Sequence, residues 1–248
     1  MRAWDTQSRR LGSIVEPGRD VGKANMIGRS YAFGTTSALF VSALLAIAFH
    51  STSARAQCIQ HFVESTVPCG ITLVGTTGGV ADPRGEFIVV IRDLASNPMP
   101  NCEVAIDFGD CEPDIRIAPN QPHPGLRVEC DTNGTRVIGT TDANGTIVFR
   151  IVGAASAASG GPAGGFKCGM VRAGDAYTTI NVAAYDLNGG GGTNAADLSL
   201  WLTDNFDSDD EGRSDFNCSN TIGAADFSIL LQGVFSGGSS QSASSFCF

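Results

Sequence analysis

Histidine is scarce in this chain, with three residues in 248. Only His61 and His123 lie beyond the first 56 residues, and His123 is flanked by Pro122 and Pro124. No nucleophile stands near either to complete a nucleophile-base pair. No C-x-x-C occurs, which removes the common zinc and redox motifs. No Gly-Lys-Ser/Thr follows the glycine run 189–192, so a phosphate-binding loop is excluded as well. Basic charge is also short. Gln57–Phe248 carries nine Lys/Arg against 22 Asp/Glu, a net −13. Such a chain is not built to neutralise nucleic-acid phosphates. It suits cation binding and solubility outside a cell.

The longest apolar run, Ser37–Phe49, is short for a membrane span, which takes about 20 residues. It follows Arg29 and leads to Ala54-Arg55-Ala56. Basic flank, short apolar core and small-x-small site predict a secretory signal peptide over 26–56, with an uncleaved anchor as the alternative. Met26 then becomes a candidate start, and 1–25 an over-extended one. The expected product is secreted or displayed at the cell surface, free of the membrane after cleavage. All eight cysteines fall in it: Cys58, Cys69, Cys102, Cys111, Cys130, Cys168, Cys218 and Cys247. An even number in an exported chain predicts disulfides. Order and proximity suggest the pairs 58–69, 102–111, 130–168 and 218–247.

Residues 57–184 read as about seven strands. Gly70–Gly75, Glu86–Asp93, Cys102–Phe108, Thr135–Thr141, Thr146–Val152, Phe166–Arg172 and Thr178–Ala183 are rich in β-branched residues and bounded by turn residues. Cys102, Val104, Ile106 and Phe108 alternate onto one face. Asn144-Gly145 between two such runs predicts a hairpin. Ser156–Gly165 reads as a Gly-rich loop. The expected fold class is mainly β, an antiparallel β-sandwich, with another strand topology as the alternative. Asp107, Asp110, Glu112 and Asp114 read as a solvated acidic turn. Their lesser alternatives are a cation site and a pair of catalytic carboxylates.

Phe87-x-Val-x-Ile-Arg-Asp-Leu-Ala-x-Asn-Pro-Met-Pro-Asn-x-x-Val-x-Ile resembles bacterial immunoglobulin-like domains of the invasin/intimin type. Thr140-Thr-Asp-Ala-Asn-Gly-Thr-Ile-Val-Phe149 is similar to their later hairpin. The resemblance implies an Ig-like spacer or display domain with no catalytic residues.

The C-terminal part is a duplication. Asp186–Leu202 and Asp215–Leu231 are offset by 29 residues and identical at seven of seventeen positions. A twelve-residue calcium loop supplies oxygens from positions 1, 3, 5, 7, 9 and 12. In copy one these are Asp186, Asn188, Gly190, Gly192, Asn194 and Asp197; in copy two Asp215, Asn217, Ser219, Thr221, Gly223 and Asp226. Position 6, where the chain turns sharply, holds Gly191 and Asn220, both tolerant of positive φ. Position 8, Thr193 and Ile222, is expected to form a short strand contact between the copies. After each loop an apolar stripe predicts a helix: Leu198, Trp201, Leu202, Phe206, then Phe227, Leu230, Leu231, Val234, Phe235. The stripes are expected to form core between the helices. The alternative for both loops is Asp/Asn/Gly turns that hold no metal.

Copy one's D-x-N…N-x-x-D-L, followed by copy two's D-x-N…G-x-x-D-F, resembles a type I dockerin, a small EF-hand-like module that folds around calcium and plugs secreted proteins into cohesins. The resemblance spans 185–236. It implies Ca2+ as cofactor, with ligands Asp186, Asn188, Asn194 and Asp197, then Asp215, Asn217, Ser219 and Asp226. It also implies a protein partner, cohesin-like or a second copy of the chain. Three departures stand out. Position 5, usually Asp, is Gly190 or Ser219, leaving two carboxylates per loop and a calcium affinity in the range of about 10⁻⁴–10⁻³ M. The family's recognition positions are Ala195-Ala196 and Ala224-Ala225. Cys218 sits inside loop two. The expected function is a secreted, non-catalytic, calcium-binding attachment protein. The alternative is a surface-layer or adhesin-type structural protein whose helical cap is held by disulfides and binds no metal.

Overall fold

The computed structural model describes residues 58, 64–131, 134–156, 167–206, 212–239 and 241–247. The signal peptide, His61, Phe166 and the loop at 157–165 lie outside the described residues. Twelve strands and two helices are described. They are β1 (Gly70–Leu73), β2 (Thr76–Thr77), β3 (Val80–Ala81), β4 (Glu86–Val90), β5 (Glu103–Asp107), β6 (Ile115–Ile117), β7 (Arg127–Asp131), β8 (Gly134–Thr140), β9 (Thr146–Arg150), β10 (Gly153–Ala155), β11 (Gly169–Ala173), β12 (Ala176–Ala184), α1 (Ala195–Phe206) and α2 (Ala224–Ser236). The architecture is a β-sheet region followed by a small two-helix module.

One six-stranded sheet runs β1-β12-β11-β5-β8-β7, and three two-stranded sheets pair β4-β9, β6-β10 and β2-β3. Alternation places the core as the sequence pattern predicts. Val104 and Ile106 of β5 point inward with Phe87 and Val89 of β4, and Ile147 and Phe149 of β9, in one apolar cluster. The Phe87 and Phe149 rings lie 6.4 Å apart, tilted by 59°.

The pairing differs from expectation in two ways. First, it is mixed: β1 joins β12 in parallel, from Gly70↔Asn181 to Leu73↔Ala184. Second, Asn144-Gly145 makes a tight turn but no hairpin. Asp142 Oδ1 accepts the amides of Asn144 (2.8 Å) and Thr146 (2.9 Å), closing the turn locally. The flanking strands then part, β8 pairing with β5 and β7 while β9 pairs with β4. Gly145 lies against β4's exit, where a Cβ would meet the Ile91 carbonyl at 2.5 Å. The chain thus crosses between sheets at this turn, carrying Ile147 and Phe149 to β4.

Strand β12 shows how the helical module is seated. Its first half alternates and its last five residues are all buried. A strand buried on both faces loses its alternation. Here Asn181 Nδ2 donates to the Asp215 carbonyl, and Tyr185 stacks on Phe216 at 5.4 Å. Gly233 of α2 packs on Tyr185 so closely that a Cβ would meet its ring at 2.6 Å. Tyr185, Leu187, Trp201 and Leu230 belong to the same apolar cluster as the strands.

All eight cysteines are paired, but none as proximity suggested. The bridges are Cys58–Cys102, Cys69–Cys218, Cys111–Cys168 and Cys130–Cys247. The reason is geometric. A disulfide needs its Cα atoms within about 7 Å. Cys102 and Cys111 flank β5, an extended strand rising about 3.3 Å per residue, so they sit at opposite ends of it. Cys218 faces β1, its sulfur 2.6 Å from where a Gly70 Cβ would be. The expected Cys218–Cys247 clip therefore does not form. Cys247 joins Cys130 of β7 instead, with Cα atoms 5.5 Å apart.

Candidate functional site

Loop one leaves β12 at Asp186 and ends inside the first turn of α1 at Asp197. Both aspartates are fully buried. Asp197 Oδ1 accepts the amides of Leu187 (2.7 Å) and Asn188 (3.2 Å), and its Oδ2 accepts that of Asn194 (2.7 Å). Asn194 Oδ1 in turn accepts from Ala196 at 2.8 Å. Asn194 and Asp197 thus form a reciprocal helix cap. Asp186 Oδ1 and Asn188 Oδ1 both accept from Gly190, at 3.2 and 2.8 Å. Gly189, at φ 70°, passes so close to β10 that a Cβ would sit 2.9 Å from the Ala155 carbonyl.

Loop two repeats the network. Asp226 accepts from Asn217 (3.1 Å) and Gly223 (3.0 Å). Asp215 accepts from Ser219 (3.0 Å) and Asn220 (2.9 Å), and Asn217 Oδ1 accepts from Ser219 at 2.9 Å. Asn220 turns at φ 58°, as its position required. The duplication therefore holds for the backbone donors at positions 3, 5 and 9, which the same acceptors at positions 1, 3 and 12 take in both loops.

The electrostatics are those of buried acids gathered together. Burial, then the charge of Asp197, pushes the Asp186 carboxyl up to about 6. Burial raises Asp197 despite its three amide donors. Burial raises Asp215 too, with Asp226 adding to it. Among the described residues no group of three or more His, Cys, Asp or Glu is placed to hold a metal. Each loop offers two carboxylates, asparagine oxygens and backbone carbonyls. In loop one that donor set, with paired buried carboxylates, fits a weakly held hard cation. The expected contact between Thr193 and Ile222 is replaced on loop one's side. The Thr193 amide donates to the Ser239 carbonyl of the C-terminal tail at 2.9 Å.

The helical stripes are only partly core. Trp201 and Leu230 are buried, and Trp201 packs on Phe227 at 4.9 Å. The far ends stay in solvent: Phe206 is 81% and Phe235 80% exposed, and Leu202 is 42% exposed. The stripes continue past the point where the two helices touch.

A second polar centre was not foreseen. Arg213, the sole Lys or Arg of 185–248, is buried between the helices and the sheets. Its Nε and one terminal nitrogen donate to Asp204 of α1 at 3.0 and 2.7 Å. The other donates to Asp114 Oδ1 (2.8 Å) and to the Ser156 carbonyl (2.7 Å). Asp114 does not belong to a solvated acidic turn; it is the β-side partner of this latch. Of the rest, Asp107 and Asp110 stay neighbours, lining one pocket with Arg172. Asp107 accepts from Gly109, Glu112 accepts from Thr135, and Asp110 is exposed. The readable signal was a lone arginine in an otherwise acidic stretch.

No family model, curated protein or solved structure matches this chain.

Proposed function

We propose that this chain is a structural, non-catalytic protein of the extracellular surface, in which the two-helix module is a fixed cap on the β region. The observation that carries this reading is the double covalent fastening of the C-terminal part to the β strands. Cys69–Cys218 holds loop two to β1, and Cys130–Cys247 holds the tail to β7. Arg213 adds a buried ion-paired latch between them. A detachable docking arm has no use for such anchoring; a surface-layer or adhesin-type building block does. In its finer form the β region is an Ig-like spacer and the cap a dockerin-like module turned to structural use. Both alanine pairs are exposed and offer a cohesin little to read. Scanning calorimetry of the oxidised chain from residue 57 tests the proposal. A fixed cap predicts one cooperative transition. Two transitions, with the helices melting first, would make the module independent.

A second reading, calcium at loop one, is favoured by one observation. Asp186 and Asp197 are buried together, and the charge of Asp197 adds to burial in raising the Asp186 carboxyl. Asp186, Asn188, Asn194 and Asp197 would hold the ion, which would neutralise both carboxylates. A calcium-dependent rise in melting temperature that D186N abolishes supports this reading; no rise at millimolar calcium removes it.

A further inference from the structure

Asn-x-Ser/Thr, with x other than proline, is the acceptor sequence for N-linked glycans on exported chains. It occurs three times in this chain: Asn133-Gly134-Thr135, Asn144-Gly145-Thr146 and Asn217-Cys218-Ser219. Each follows an aspartate two residues earlier, Asp131, Asp142 and Asp215. The fold treats the three differently. Thr135 is only 3% exposed, and its hydroxyl donates to Glu112 Oε1 at 3.2 Å. Asn133 itself lies outside the described residues. Asn217 is tied into loop two. Its Oδ1 accepts the Ser219 amide at 2.9 Å, and Ser219 Oγ donates to the Thr221 carbonyl at 2.9 Å. Cys218, between them, is bridged to Cys69. An enzyme that must read the hydroxyl finds it engaged at both places.

Asn144 is placed otherwise. It is exposed, together with Asp142 and Ala143, at the tip of the turn between β8 and β9, and Thr146 is half-buried. The turn is held by its own residues. The Asp142 carboxylate accepts the Asn144 and Thr146 amides, and the Asp142 amide donates to the Thr146 carbonyl at 2.8 Å. A side-chain-closed turn of this kind fixes its backbone locally. Asparagine and threonine are therefore presented in one set arrangement while the asparagine stays in water. The Asn144 side chain also donates to the Asp142 carboxylate. A carboxylate accepting from a carboxamide N–H enriches that nitrogen in electron density, and this nitrogen is the atom that must attack a sugar.

We propose that Asn144 is the N-glycosylation site of the folded chain. The donor is of the polyprenyl-pyrophosphate-linked oligosaccharide class. A bond forms between Asn144 Nδ2 and the anomeric carbon as the anomeric C–O bond to pyrophosphate breaks. The lipid pyrophosphate leaves with that bonding pair, and the nitrogen gives up one proton. No oxidant or reductant is needed. The glycan stands on the β region, at the turn where the chain crosses between sheets. This rests on the export that the proposed function assumes.

The test has two arms. In the first, the chain is recovered from the culture fluid and surface fraction of its source organism and read by intact mass and peptide mapping. A glycan on Asn144, with Asn133 and Asn217 bare, is expected. In the second, the purified oxidised chain is incubated with an oligosaccharyltransferase and its lipid-linked oligosaccharide. The folded chain is expected to gain one glycan. N144Q and T146V should abolish it, T146S should keep it, and N133Q and N217Q should leave it unchanged. Reduced, unfolded chain should gain further glycans at Asn133 and Asn217. Should T146V fold poorly, T146S carries the test, since it keeps the hydroxyl and must still be modified. A processed, exported chain with Asn144 bare, or a folded chain modified at Asn133 or Asn217 instead, overturns the inference and leaves export standing. A chain kept inside the cell with residues 1–56 attached overturns export, and the inference with it.

Discussion

The two acidic loops share a backbone network but not their supports. Loop one lies against β10 through Gly189 and is bridged by Ser242 of the tail. Loop two is pinned by a disulfide inside the loop, Cys218 to Cys69, and closes its own carboxylates. Their helices also begin differently. Asn194 caps α1 with its side chain, whereas Gly223 precedes α2 with none to offer. What the copies keep in common is what the turn itself demands: acceptors for amides at positions 3, 5 and 9. What they do not share comes from their surroundings. A duplicated unit has been fitted onto a β region at two unlike places.

That comparison can be broken most forcefully at the latch between the copies. R213M removes from a buried cluster the base that ion-pairs with both Asp204 and Asp114. We expect a loss of about 3–5 kcal/mol, read by denaturant unfolding, with both loops affected. A loss below about 1 kcal/mol would mean that the two acids find other partners.

Opening one support alone comes next. Replacing Cys69 and Cys218 together by serine should cost about 2–5 kcal/mol. Hydrogen exchange should rise first in loop two and leave loop one protected. Equal loosening of both would show the loops to be one unit.

Smaller changes sharpen the contrast at the helix starts. N194A should cost about 1 kcal/mol by removing the α1 cap. G223N should gain a few tenths of a kcal/mol, because position 223 is extended and a Cβ there meets nothing within 4 Å. If G223N is instead destabilising, α2 does not start by the rule that α1 follows.

Much of the cap was legible from spacing. Loops, turn residues and both helices follow from local chemistry: an acid at position 12 accepts loop amides and caps the helix in one stroke. The strand faces were legible as well, since alternation in Cys102–Phe108 needs only one buried side. Pairing was not. Asp142-Ala-Asn-Gly145 encodes a tight turn, but which strand receives β9 depends on where Ile147 and Phe149 find apolar cover. Short β6 and β10 escaped notice because three residues carry no period. The disulfides escaped because sequence distance says little about which ends of extended strands meet. Arg213 escaped because its partners lie 9 and 99 residues away.

The central claim is that the helices are a fixed part of the β unit. Native-state hydrogen exchange of the oxidised chain tests it most directly, comparing α2 amides with those of β5 and β8. The α2 amides around Leu230 are expected to exchange only through the same global opening as the β core, with matching denaturant dependence. Exchange of α2 through its own lower-energy opening, while β5 and β8 stay protected, would contradict it.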